Sequence, residues 1–179
     1  VNDKGEKKTG YFRYWAPGKV IEQNGTYYLY VTFVKPDEKM GTYVMIADRP
    51  DGPFRFAEGN GLFAPGVEGV DSPFIVNDID GEPFIDDDGN GYIFWRRRNA
   101  GRLSADRLHI EGEPLTMQTA RQGYSEGPLM FKRKGIYYYV YTLSGNQNYV
   151  NAYMMSRESP LTGFVKPEGN DIFLFSSPE

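Results

Sequence analysis

The sequence predicts an all-β protein whose strands recur in the manner of propeller blades, and three observations carry that prediction. Aromatic residues are 16% of the 179, chiefly 14 Tyr and 12 Phe, and 21 Gly with 12 Pro supply the turns that many short strands need. A unit of hairpin, aromatic strand, outer strand and Pro/Gly-Phe stop occurs three times, with turns about 44 to 66 residues apart, inside or just above blade spacing. No segment carries apolar residues at the 3.6 spacing of an amphipathic helix.

The first repeat follows a polar, charged lead-in at residues 1–10. It opens with Tyr11 to Pro17 and continues through Val20 to Val31, where Asn24-Gly25 is a strong two-residue hairpin signal between β-prone runs. Tyr43 to Ala47 makes its third strand, and Asp51-Gly52-Pro53-Phe54 stops it. The second repeat has Gly91 to Trp95 as its aromatic strand and Arg102 to Asp106 as the next. The third runs from Leu129 through Gly135 to Tyr141, then Tyr153 to Ser156, and stops at Pro160 to Phe164. These give blades over roughly 11–60, 70–117 and 122–168, in one domain by length.

Bulk properties exclude several functions. Hydrophobic residues are 40% and charged residues 25%, which suits a packed globular chain. A net charge of −4 argues against a nucleic-acid partner. The single basic run, Arg96-Arg97-Arg98, reads as a solvated strand edge, since neighbours on a strand face alternate ways. No cysteine means no disulfide and no thiolate chemistry, and the single histidine, His109, supplies no multi-histidine metal site. No run reaches the length of a membrane span, and the first residues are not a signal peptide.

The stretch Asn77 to Trp95 concentrates six acidic side chains in about a dozen positions before turning apolar. Asp86-Asp87-Asp88 with Gly89 and Gly91 reads as a tight hairpin turn. A calcium loop is rejected, because the EF-hand spacing would need an acid at Phe84 and a Glu at Trp95. Asp80 stands apart, four residues before Phe84 and away from the turn tip. Aligning the repeats sets Trp15-Ala16-Pro17, Asp80 to Pro83 and Glu126-Gly127-Pro128 at equivalent leading positions. In a propeller such positions converge on the central channel, so Asp80 and Glu126 share a cleft. Two carboxylates facing one cleft are the minimum equipment for glycosidic hydrolysis. Each also has a plain alternative: Asp80-Gly81 as turn chemistry, Glu126 as an exposed loop acid.

At these residues the chain resembles the five-bladed β-propeller glycoside hydrolases of family 43, which include α-L-arabinofuranosidases, β-xylosidases and arabinanases. The matching pieces are Trp15-Ala16-Pro17 with Asn24 to Tyr30, Ile79-Asp80 with Phe84 to Gly89, Glu126-Gly127-Pro128, and the Asp51 to Phe54 stop. The resemblance implies inverting hydrolysis of arabinose- or xylose-containing plant polysaccharides, with Glu126 as general acid and Asp80 as the carboxylate that orients it and raises its pKa. Trp15 and Tyr14 would be the sugar-stacking aromatics, with inter-blade packing as their alternative. Trp95, Met45, Met154 and Met155 are read as packing residues. No cofactor is implied, and a channel calcium finds no support in the sequence.

The family's base is an Asp in the blade preceding Trp-Ala-Pro. Here Asp3 is the only Asp ahead of Trp15, and three blades fall short of the five that close the ring. The chain is therefore expected to be the middle of a longer protein whose flanking blades lie to either side, secreted or periplasmic, and to turn over little substrate alone. Gly81-Glu82 replaces the family's common Pro-Ser or Ala-Ser, which places a further acid beside Asp80. A non-catalytic carbohydrate-binding propeller is the alternative reading, followed by a partner-binding propeller and a phosphorylase.

Overall fold

The computed structural model describes residues 13–35, 38–57, 74–145 and 148–175. The lead-in at residues 1–10, Asp3 and the stretch around residues 58–73 lie outside the described residues. The all-β prediction is borne out: apart from one three-residue 3-10 turn, every regular element described is a strand. The strands form three four-stranded antiparallel meanders in sequence order. No helix among the described residues is long and apolar enough to cross a membrane.

The first compact unit ends at Ile79. Its sheet comprises β1 (Arg13–Gln23), β2 (Thr26–Val34), β3 (Met40–Ala47) and β4 (Arg55–Phe56). Asn24 and Gly25 join β1 to β2 with φ of 53° and 82°. That is the double left-handed turn whose twist matches antiparallel strands, and asparagine and glycine adopt it most readily. The core is aromatic: Phe33, Tyr43 and Phe56 are essentially buried and meet with ring centroids 5.1–5.5 Å apart. Phe74 lies against the Gly41 backbone so closely that a Cβ there would fall 2.2 Å from its ring.

The second unit begins at Asp80. One sheet comprises β5 (Glu82–Ile85), β6 (Gly91–Trp95), β7 (Asn99–Leu103) and β8 (Ile110–Thr116). The other comprises β9 (Tyr124–Arg133), β10 (Ile136–Gly145), β11 (Asn148–Ser156) and β12 (Ile172–Phe175). A shared core of Phe84, Tyr92, Phe94, Met130, Tyr137 and Tyr139 holds the two sheets together. Phe94 meets Tyr139 at 5.7 Å, and Phe84 meets Tyr137 edge-on at 6.2 Å. Each such buried side chain contributes about 2 kcal/mol through area removed from water. Trp95 and Met154 are buried here, as packing residues are. The outward face of the second sheet is also apolar: Phe131 stacks flat on Tyr138 at 4.9 Å, and Leu129 and Phe131 are more than a third exposed.

Two sequence readings are corrected. The acidic stretch does form the tight turn between two strands, but not a two-residue one. Asp86 N–H donates to the Asn90 carbonyl and Gly89 N–H to the Asp86 carbonyl, so the turn spans Asp86 to Asn90, and Gly91 already belongs to β6. Gly91 leaves room for a neighbour instead: a Cβ would meet Arg107 Nη1 at 2.4 Å, and that arginine caps the turn through the Gly89 carbonyl at 2.7 Å. Nor is Asp86 a solvated turn acid. It is buried, accepts from Tyr137 Oη at 2.5 Å and pairs with Lys132 Nζ at 2.8 Å, pinning one sheet to the other. Burial alone would raise its pKa, but the hydrogen bonds from Lys132 and Tyr137 prevail and hold it below the ordinary carboxylate value.

The other correction concerns Arg96, Arg97 and Arg98. They are not a strand edge but a 3-10 turn joining β6 to β7, with Arg97 and Arg98 at φ of 64° and 63°. Successive left-handed arginines are strained by about 1 kcal/mol each and persist only where neighbours fix them. Here Met117 N–H donates to the Arg98 carbonyl at 2.7 Å and Asn99 Nδ2 to the Arg96 carbonyl at 2.9 Å.

Candidate active site

The segment Tyr124 to Pro128 is shaped by a β-bulge. In the β9–β10 ladder Glu126 pairs with Thr142 and Leu129 with Val140, so Gly127 and Pro128 together face only Tyr141. Pro128 has no N–H to give the ladder, and Gly127 at φ 53° turns its own N–H away from it. That N–H donates to Asp80 Oδ2 at 3.0 Å. Asp80 itself is left-handed, φ 65°, a conformation aspartate tolerates better than most residues. The two acids singled out in the sequence, 46 positions apart, thus meet through one backbone amide. The Trp15-Ala16-Pro17 segment carries the same device, with a register shift between Trp15 and Pro17 and Ala16 at φ 30°.

Strand register assembles the rest. Glu126 pairs with Thr142, which pairs with Asn151, while Tyr124 pairs with Ser144, which pairs with Tyr149. Because side chains alternate along a strand, Tyr124 and Glu126 share a face, as do Tyr149 and Asn151. Tyr124 Oη donates to Glu126 Oε2 at 2.9 Å. Tyr149 also hydrogen-bonds Glu126, and this bond is the main reason its phenol is held above its ordinary pKa. Asn151 Nδ2 donates to Thr142 Oγ1 at 3.0 Å. Glu126 is half-buried, neither a loop acid in free water nor a core residue.

Behind Tyr124 stands the arginine turn. Arg98 Nη1 donates to the Gly123 carbonyl at 2.9 Å, and Arg96 acts on the Tyr124 phenol to lower its pKa. Burial is the chief influence lifting the Tyr124 phenol above its ordinary value; Glu126 adds to it and Arg96 opposes it. Tyr124 and Tyr149 were not singled out in the sequence, and Arg96 only as part of a solvated strand edge. Tyr124 was findable, two residues before Glu126 on the same strand. Tyr149 and Arg96 become neighbours only once register and the 3-10 turn are known.

Tyr14 and Trp15 lie in the other unit, on β1, with 57% and 42% of their surface exposed. Tyr14 stands edge-on against Phe33 at 4.6 Å, so its ring is braced from one side and open on the other. No group of three or more His, Cys, Asp or Glu side chains suited to a metal ion occurs among the described residues.

Comparison with known proteins places the chain in a family. The family model described as glycosyl hydrolases family 43 matches residues 2–179. The β-D-galactofuranosidase xynD of Aspergillus niger is 29% identical over 88% of this chain and 48% of its own length. The arabinoxylan arabinofuranohydrolase of Bacillus subtilis is 26% identical over 73% of this chain and 28% of its own. A solved structure named glycoside hydrolase superimposes with a TM-score of 0.79 and 42% identity, over 90% of this chain and 36% of that one. The chain thus spans less than half of the length of each of these three proteins.

Proposed function

The chain belongs to family 43 of the glycosyl hydrolases and supplies about three blades of its five-bladed β-propeller, and on that premise we propose that it carries the acid half of an inverting glycosidase site. Glu126 is the general acid, delivering a proton to the departing glycosidic oxygen, and Asp80 is the carboxylate that orients it. The observation that supports this most directly is the Gly127 N–H to Asp80 contact, which ties the acid-bearing bulge to the second carboxylate. By family pattern, the base that activates water is an Asp of the blade preceding the Trp15-Ala16-Pro17 blade. No cofactor takes part in such a displacement.

The proposed substrates are arabinose- or xylose-containing plant polysaccharides and oligosaccharides. The relative named arabinoxylan arabinofuranohydrolase supports this, while the one named β-D-galactofuranosidase points to a different furanoside. Tyr14 and Trp15 offer open aromatic faces of the kind that stack on a sugar ring. The test is Glu126→Gln in the protein that carries this chain. Turnover of ordinary glycosides falls by at least about a hundredfold, while glycosides whose leaving group departs unprotonated are spared. Equal loss on both would remove Glu126 from the acid role.

A further inference from the structure

We propose that Arg97 binds the carboxylate of a uronic-acid sugar carried on the substrate oligosaccharide, an inference that rests on the glycosidase site proposed above. Arg97 is the exposed member of the arginine turn. Its neighbours are engaged: Arg98 Nη1 donates to the Gly123 carbonyl at 2.9 Å, and Arg96 acts on the Tyr124 phenol. The chain has 24 Asp and Glu, yet among the described residues none pairs with Arg97, and its guanidinium makes no hydrogen bond there. A guanidinium open to water is a planar fork of N–H donors, and that fork matches a carboxylate through two parallel bonds. The carboxylated sugars are the uronic acids; neutral arabinose or xylose offers the fork only single hydroxyls.

The backbone marks the position as one kept for its side chain. Arg97 and Arg98 are left-handed, at φ 64° and 63°, where asparagine or glycine would sit with less strain. Strain of that kind gathers at working sites, where the surrounding structure holds it. The location agrees. The turn packs against β9, the strand of Glu126, and Arg98 holds Gly123, three residues before that acid. Between them, Tyr124 Oη donates to Glu126 Oε2 at 2.9 Å. The turn that carries Arg97 and the segment that carries the acid are therefore one packed block.

The test uses the full-length protein with two probes: a xylo-oligosaccharide bearing one glucuronic acid branch, and the same compound with its carboxyl reduced to the alcohol. Binding of both is measured by calorimetry on Glu126→Gln, which holds substrate without turning it over, and on Glu126→Gln with Arg97→Asn. Asparagine takes the left-handed turn readily, so Arg97→Asn is expected to unfold at the parent's temperature or slightly above, and misfolding cannot pass for the effect. With Arg97 present, the acidic compound binds about tenfold tighter than the reduced one, and the margin shrinks as salt rises. With Arg97→Asn the two bind alike. Equal affinity for both compounds while Arg97 is present, affinity for neither, or a margin that survives Arg97→Asn would overturn the site. Turnover of a neutral glycoside is followed alongside. If Glu126→Gln hydrolyses it at the parent rate, the acid assignment itself fails; if it does not and the carboxyl margin is absent, only the arginine site fails.

Discussion

Asp80 reaches the backbone, not the side chain, of the segment that bears Glu126: its Oδ2 takes the Gly127 N–H at 3.0 Å. A carboxylate that grips the peptide beside an acid sets where that acid sits, whatever field it also exerts. It does so from a left-handed backbone, φ 65°, that a glycine would adopt without strain.

That combination separates stability from activity at Asp80. Asp80→Gly removes the hydrogen bond from the Gly127 N–H, about 1 kcal/mol, and relieves a left-handed residue by a similar amount. The unfolding midpoint is expected to stay within a few degrees of the parent while turnover drops by at least about a hundredfold. A variant that keeps its turnover would show the carboxylate to be turn chemistry and nothing more.

The Asp86 pin makes the second unit acid-sensitive. Its carboxyl is held below the ordinary value of 3.8, so its stabilisation is complete above that pH and drains away as pH falls through the folded-state value. Asp86→Asn is expected to cost about 2 kcal/mol near neutrality, because Lys132 and Tyr137 lose their ionised partner. The gap between variant and parent narrows as pH falls below that ordinary value. Thermal unfolding followed across that range checks both halves.

Tyr139 calls for the opposite sign. Its ring is fully buried and its hydroxyl meets no hydrogen-bond partner among the described residues. Burial, first of all, raises the phenol's pKa well above the ordinary tyrosine value. Tyr139→Phe keeps the packing against Phe94 and removes the stranded hydroxyl, so stability rises by up to about 1 kcal/mol. A loss of stability in denaturant unfolding would reveal a partner for that oxygen.

Gly41 is held to its identity by a neighbour, not by its own conformation. The position is ordinary strand, yet a Cβ would fall 2.2 Å from the Phe74 ring. Gly41→Ala is expected to destabilise by roughly 1–3 kcal/mol as that ring is displaced. Trimming Phe74 to Leu in the same chain should recover part of the loss, which a double-mutant cycle would measure.

The sequence made some of this plain and hid the rest for physical reasons. Asn24-Gly25 announced its turn because few dipeptides accept two left-handed residues in a row. Asp80 and Glu126 could be placed at matching points because the repeats carry their own ruler. Asp86 was misjudged because a string of acids beside a glycine looks like solvent-facing turn, and only Lys132 and Tyr137, 46 and 51 positions on, make burial tolerable. The three arginines were misjudged because nothing local foretells two left-handed residues without glycine or asparagine. Tertiary contacts hold them there, and such contacts leave no periodic trace.

The flat stack of Phe131 on Tyr138 has a practical corollary for anyone preparing this polypeptide. Bare aromatic ground of that kind clings to column resin and to other molecules of its kind, so light scattering should climb with concentration. Phe131→Lys, on a strand position open to solvent, is the change that would quiet it. Because that side chain lies on the opposite face of the sheet from the buried tyrosines, the remedy leaves the carboxylates where they are.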